Sequence, residues 1–366
     1  MTDDPTHDDW NARAAAAERA VIERYVGGIP GVSWARSAWP AVPLFGRAEG
    51  RARWHYWWSA HLVEAAVDAA RHRPTGARRR RARAFARGIR VRNGGTLSRT
   101  FYDDLAWLGL AYERGAEVVG QRRATERIAA RLEAAIDPDV GAVPWQVGSR
   151  FFNAPANGPA AILFARTGRR EAGRRLSDWM DAELRDPVNG LIVDGVDLDE
   201  THPRRATELY TYCQGVALGA AVDLARSADG ARFAARAATL IAAITAWTGP
   251  ALVLPGAGGG DRGLFAAIAC RYLAEAARVF DERADAAGPD AGDADRAAAS
   301  ARSLVLANAE AVWNGRATVD GLPLFAADWR ARADPAPAAP ERDLSVQLGG
   351  WLALESAVAV TARPRA

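Results

Sequence analysis

Two consecutive aspartates, Asp103 and Asp104, sit in the stretch Arg99–Tyr112 (RTFYDDLAWLGLAY), where everything else after Thr100 is apolar or aromatic. Leu105, Leu108 and Tyr112 recur at three- and four-residue spacing, as do Trp107 and Ala111. That is the period of a helix buried on more than one side. Ionised carboxylates are seldom buried without a partner or a task. Two side by side repel, which pushes one pKa upward. The pair suits chemistry that needs a carboxylate and a carboxylic acid at the same pH. A competing reading is capping. Thr100, three residues before Asp103, resembles a capping box with Asp in place of Glu, and acidic residues in a first turn favour the helix dipole.

Other polar and aromatic residues cluster at the starts of apolar helical segments. They are Trp54, His55, Trp57 and Trp58 in one, Tyr102 with the Asp pair in a second, and Asn153 and Asn157 in a third. Tyr210, Tyr212 and Gln214 open a fourth; Ser345 and Gln347 open a fifth. Trp145, Trp34, Trp39 and the dipeptide Asp194-Gly195 fall in long connections. Aromatic faces with amide and carboxylate partners suit sugars, whose rings offer CH faces and hydroxyl edges. Each residue also has a structural reading: Trp57-Trp58 as core, Asn153 and Asn157 as caps, Asp194-Gly195 as a turn. His55 and His61 lack partners at metal-ligand spacing, so no metal site is expected. Gly258–Gly260 lacks the Gly-Lys-Ser/Thr of a phosphate cradle and reads as a loop.

The elements that must position these residues are helices. Helical periodicity dominates and period-two β-branched runs are nearly absent. Helices are expected at 10–26, 52–72, 76–91, 101–115, 118–134, 155–167, 170–184, 208–227, 230–247, 262–280, 292–313 and 343–361. Odd-numbered segments are Arg/Glu/Ala amphipaths; even-numbered ones are richer in aromatic, Gly and small residues. Such alternation, without a fixed-period repeat, points to six hairpins closed into a toroid, an (α/α)6 barrel, rather than an open solenoid. If the even-numbered helices run parallel, their N-terminal ends meet at one mouth, with the long connections around it. No composition shift separates two cores, so residues 1–366 are expected to form a single catalytic domain.

Composition narrows the function classes. Apolar residues make up 49% of 366, enough for a large core. All 47 basic residues are Arg, and the net charge is +3, too near neutral to argue for nucleic acid. The run Arg78–Arg81 has no interleaved aromatics and reads as a solvated outer face. Two cysteines, Cys213 and Cys270, do not make a disulfide framework. No basic and apolar leader opens the chain, and no apolar run reads as membrane-spanning. A cytoplasmic protein without membrane partners is the expectation; the oligomeric state is not legible.

The stretch FYDDLAWLGLAY resembles the signature of glycoside hydrolase family 76, the α-1,6-mannanases. The resemblance continues through Asn153 and Asn157, Asp194-Gly195, Thr211–Gly215 (TYCQG), Arg271–Leu273 (RYL) and Leu344–Leu348 (LSVQL). It implies an (α/α)6 barrel that hydrolyses α-1,6-mannosidic linkages in mannan oligo- or polysaccharides with retention, in endo fashion, without metal or cofactor. It also implies Asp103 as nucleophile and Asp104 as general acid/base, with Asp194, Tyr212 and Gln214 near the bound mannose. Tyr102, Trp57, Trp58, Trp145, Asn153 and Asn157 are further expected substrate contacts. Two departures stand out. Cys213 replaces the family's usual Asn, and Phe265–Ala269 (FAAIA) replaces an FKGIF-like stretch. The alternatives are another sugar enzyme on the same barrel, an epimerase or unsaturated-uronide hydrolase, or a non-catalytic glycan-binding protein. An epimerase would use His as acid and base, and the helix-start histidines are few. For the retaining role, helix dipoles should keep Asp103 ionised, while burial and its neighbour's charge should keep Asp104 protonated.

Overall fold

The computed structural model describes residues 5–40, 54–97, 99–198, 203–227, 229–288 and 292–362. In chain order the elements are α1 (His7–Tyr25), β1 (Val26–Ile29), β2 (Val32–Ala35), α2 (Tyr56–His72), α3 (Gly76–Arg92), α4 (Tyr102–Arg114), α5 (Ala116–Val119) and α6 (Arg122–Glu133). There follow β3 (Phe151–Asn153), α7 (Ala154–Arg166), α8 (Arg170–Trp179), β4 (Gly195–Asp197), β5 (Arg204–Arg205), α9 (Thr211–Ala225) and α10 (Ala231–Thr248). The chain ends with α11 (Phe265–Ala287), α12 (Gly292–Asn314), β6 (Ala317–Val319), β7 (Leu322–Leu324) and α13 (Leu344–Thr361).

Each of the twelve expected helices is present, and α5 is an additional single turn. The inner set is α2, α4, α7, α9, α11 and α13. Each packs on the next, and α13 packs back on α2, so the ring is closed. The outer helices α3, α6, α8, α10, α12 and α1 lie against α2, α4, α7, α9, α11 and α13 respectively. This is the (α/α)6 barrel. Closure follows from side-chain size. Gly109, Gly158 and Gly219 on inner helices face Leu163, Val216 and Tyr272 of their neighbours, and an added Cβ would lie 2.6, 2.4 and 2.4 Å from those side chains. Such contacts let inner helices approach too closely for any larger residue.

Side-chain oxygens start several helices. Thr6 forms a reciprocal capping box with Asp9, Thr75 caps α3, and Asn153 caps α7. A recurring amide clip ties connections to inner helices. Asn157, Gln214 and Gln347 each occupy the fourth residue of their helix and are buried. Each accepts from and donates to the backbone of one connection residue, Val143, Ile192 and Phe325 respectively. Asn308 on α12 does the same kind of work, accepting from Leu254 N–H and donating to Leu252 C=O.

At the opposite end of the barrel, inner helices exchange charges. Arg114 meets Asp68 at 2.8 Å and Glu275 at 2.5 Å; Arg166 meets Asp223 at 2.7 Å and Glu275 at 2.5 Å. Arg271 reaches Asp68 at 3.0 Å. Burial raises, and the surrounding arginines more than offset, the pKa of Glu275, held at about 2. Helix α13 is long and apolar enough to cross a bilayer by composition, yet its apolar window is 83% buried as part of the inner ring.

Candidate active site

Inner helices run in one direction, so their N-terminal ends converge on one mouth. A cavity of about 310 Å3 opens there, at the small end of the usual ligand-pocket range. Five inner helices contribute to it. Trp57 comes from the first turn of α2, Asp103 and Trp107 from α4, and Asn153 from the cap of α7. Tyr212 comes from the first turn of α9, Phe265 from the first residue of α11, and Asp261 from the 3-10 turn Gly260–Leu264 that leads into it. The connections add Trp145, Phe151 and Asp194.

The walls are aromatic. Tyr212 and Phe265 stack with ring centroids 3.8 Å apart and planes 5° apart. Trp107 lies four residues after Asp103, on the same helix face. Phe151 and Asn153 are two apart on β3 and point to the same side. The short sheet β3-β4-β5 places Asp194: Asn153 pairs with Gly195, and Ala154 N–H donates to Asp194 C=O at 2.8 Å. Gly195 is required by close approach, since a Cβ there would lie 2.6 Å from Phe152 O. Asp194 accepts from Tyr212 Oη at 3.1 Å and from Cys213 Sγ at 3.6 Å.

The aspartate pair occupies the first turn of α4. The helix cap is Phe101, without a side-chain cap bond, so Thr100 and Asp103 do not form a capping box. Asp103 Oδ1 accepts the Asp104 N–H at 2.7 Å, and Asp103 Oδ2 accepts the indole N–H of Trp145 at 3.0 Å. Trp145 is itself pinned: its C=O accepts from Tyr102 N–H, and its N–H donates to Phe151 C=O. Asp104 turns toward Arg99, whose Nε and Nη2 both lie 3.1 Å from Oδ2. Arg99 also lies over the Tyr56 ring.

Both carboxyls are pushed up. Burial, then the Asp104 charge, raise Asp103 to about 7 against the hydrogen bonds it accepts. Burial raises Asp104 to about 6, opposed mainly by Arg99. Arg99, five residues upstream, gives Asp104 a cation that Asp103 lacks, which runs against the expectation that Asp104 is the member kept protonated.

The structure brings Trp57, Asp103, Trp145, Asn153, Asp194 and Tyr212 together at the cavity. Tyr102 is half-buried beside it, packed against the hydrophobic core. Three other expected contacts are elsewhere. Trp58 is buried and stacks on His55 at 3.8 Å. Asn157 and Gln214 are fully buried, with their amides spent on the backbone. Trp34 and Trp39 also miss the cavity. Trp34 has Arg92 above it, and Trp39 lies between Arg24 and Arg342. Trp107, Phe151, Asp261 and Phe265 are cavity residues the sequence reading did not select. Asp261 and Phe265 lie at the N-terminal end of α11, and the place of the expected segment 262–280 among the inner helices was the signal that could have found them.

The sequence model of glycosyl hydrolase family 76 matches residues 9–331. Among solved structures, the GH76A alpha-1,6-mannanase from Salegentibacter sp. HEL1_6 superposes with a TM-score of 0.81 at 24% identity, covering 95% of this chain and 99% of that one. The Lin0763 protein from Listeria innocua gives 0.79 at 24% identity, covering 95% and 96%. The family 76 mannosidase Bt3792 from Bacteroides thetaiotaomicron VPI-5482 gives 0.73 at 18% identity, covering 96% and 98%. No curated protein matches the chain.

Proposed function

The chain belongs to glycosyl hydrolase family 76 and is a glycoside hydrolase; from that premise we propose that it is an endo-acting, retaining α-1,6-mannanase. The observation that carries the reading is Asp103 in the wall of an aromatic cavity, with Trp145 locked to it and Asp104 next to it in the same helical turn, held by Arg99. The Salegentibacter mannanase supports it: an inactive variant of that enzyme, with two consecutive aspartates changed to asparagine, was solved in complex with alpha-1,6-mannotriose. The barrel closes with elements from both ends of the described chain, which supports one catalytic domain.

In this reading Asp103 attacks the anomeric carbon while Asp104 gives its proton to the glycosidic oxygen. The C–O bond to the leaving sugar breaks and a mannosyl ester forms on Asp103. Asp104, now a carboxylate, takes a proton from the water that cleaves the ester. Burial and the Asp104 charge favour a proton on Asp103, while Arg99 opposes one on Asp104. Positive charge developing on the sugar ring favours an ionised Asp103. Once Asp103 is esterified its charge is gone, and Arg99 favours the carboxylate form of Asp104, as a base requires. Tyr212, Phe265 and Trp57 offer faces to sugar rings, and Asp194, Asn153 and Asp261 offer hydrogen-bonding groups to hydroxyls.

Linear α-1,6-mannan and α-1,2- and α-1,3-linked mannans should be incubated in parallel, with products resolved over time. A ladder of mannooligosaccharides from the α-1,6 polymer alone is expected. Release of mannose only, or equal cleavage of the other linkages, would overturn the endo or the linkage assignment respectively.

A further inference from the structure

On the barrel wall behind the aspartate pair, between α3 and α6, two adjoining cavities of about 320 and 520 Å3 share Arg90, Leu97 and Arg127. Their linings have no residue in common with the active-site cavity. The rim is arginine: Arg87 and Arg90 from α3, and Arg122, Arg123, Arg127 and Arg131 from α6. Leu97, Leu105 and Ile128 give the groove an apolar floor, and no Asp or Glu lines either cavity.

Among the described residues, the guanidiniums of Arg122, Arg123 and Arg127 meet no carboxylate. Arg123, Arg127 and Arg131 are spaced four apart and form one stripe along α6. The carboxylates of α6 serve another face, where Glu126 and Glu133 meet Arg169 at 3.0 and 3.1 Å. Arg87 and Arg90 donate to backbone carbonyls, Gly31 O and Gly95 O. Among the described residues, no hydrogen bond or ion pair holds the guanidinium of Arg122, Arg123 or Arg127. Elsewhere arginines answer carboxylates, as Arg114, Arg166 and Arg232 do. Like charges four apart destabilise a helix, and cations in its first turn oppose its dipole. The first turn of α6 has no acidic residue and no side-chain cap to offset them. An anion in the groove would.

We propose that this groove is a second ligand site, specific for an organic phosphate. The phosphoryl oxygens accept from Arg123 and Arg127, with Arg90 across the groove, and the organic part lies on Leu97, Leu105 and Ile128. Guanidinium forks match phosphate oxygens in pairs, so specificity as well as charge is available. The site is independent of the mannanase reading, because it uses none of the residues assigned there.

The test is calorimetric titration of the full chain with inorganic pyrophosphate and with glucose 6-phosphate in ~0.15 M salt, where distant surface charges are screened. The same titrations are run on an Arg123→Gln/Arg127→Gln variant. Saturable binding by the wild type, weakened about tenfold or more in the variant, is expected from the loss of charge-assisted bonds. The unliganded variant should melt no lower than the wild type. The absence of saturation at ~10 mM ligand, or equal affinity in the variant, overturns the proposal. So does retention on phosphatidylglycerol vesicles without pyrophosphate binding, which would make the groove a membrane-facing surface.

Discussion

Trp145 Nε1 donates to Asp103 Oδ2 across 3.0 Å, so an aromatic wall residue and a carboxylate of the pair form one unit. A tryptophan expected to act through its ring face therefore has its polar edge committed to the protein. A hydrogen bond to a charged group is worth ~1.5–3 kcal/mol. Trp145→Phe keeps a ring and removes the donor, so kcat/KM on α-1,6-mannan should fall by about tenfold or more. The loss of a donor to the carboxylate disfavours its ionised form and moves the acidic limb of the pH–rate profile upward. An unchanged limb with a raised KM would mean that Trp145 acts by stacking alone.

The raised carboxyls make stability pH-dependent in a defined direction. Asp103 sits at about 7 in the folded protein against a usual 3.8. Between these values the folded state binds more protons than the unfolded one, so this contribution is fully present below about 4 and is lost as pH rises through about 7. Asp103→Asn keeps an oxygen for the Trp145 N–H and removes the buried charge. The variant should melt above the wild type at pH 8, with the gain shrinking toward pH 4. Differential scanning calorimetry at the two pH values decides it, and a gain that grows on acidification would contradict the assignment.

Gln214 is a structural clip. Its amide serves Ile192 N–H, Ile192 C=O and Tyr210 C=O. Gln214→Leu strands two buried backbone groups of Ile192, each worth ~1–3 kcal/mol, and frees a half-buried carbonyl of Tyr210, so chemical denaturation should show a loss of about 2 kcal/mol or more. KM of the folded fraction should hardly change. The opposite pattern, a raised KM with unchanged stability, would return Gln214 to the substrate.

At the far end of the barrel, Arg114 neutralises Asp68 and Glu275. Arg114→Leu removes the cation shared by these two buried carboxylates and leaves Asp68 to Arg271 and Glu275 to Arg166. Breaking a buried pair by removing one partner typically destabilises by ~3–5 kcal/mol, readable as an early denaturation midpoint. A variant as stable as the wild type would show that Arg271 and Arg166 carry the network without it.

Helix alternation was legible because burial imposes it on composition: FYDDLAWLGLAY reads as an inner helix and GARRRRARAFARGI as an outer one. The mouth was legible for the same reason, since polar residues in apolar helices are conspicuous at Asp103, Asn153 and Tyr212. What periodicity cannot distinguish is an amide that faces a ligand from one that faces a connection. Asn153 and Asn157 differ only by one helical turn, yet one lines the cavity and the other is spent on Val143. The proton balance of the pair was hidden for another reason. Arg99 lies outside the helix that carries the aspartates, and only the fold of its connection brings it to Asp104.

The central claim is that Asp103 and Asp104 divide one reaction between them. The direct measurement is pre-steady-state release of leaving group from an activated aryl α-mannoside, beside reducing-end release from α-1,6-mannan, for wild type, Asp103→Asn and Asp104→Asn. Asp103→Asn should be almost inactive on both substrates, because no glycosyl-enzyme forms. Asp104→Asn should fail on mannan yet give a burst of aryl alcohol followed by slow turnover, because an activated leaving group departs without a proton while deglycosylation lacks its base. A burst from Asp103→Asn instead would exchange the two roles, and near-normal mannan hydrolysis by both folded variants would contradict the account.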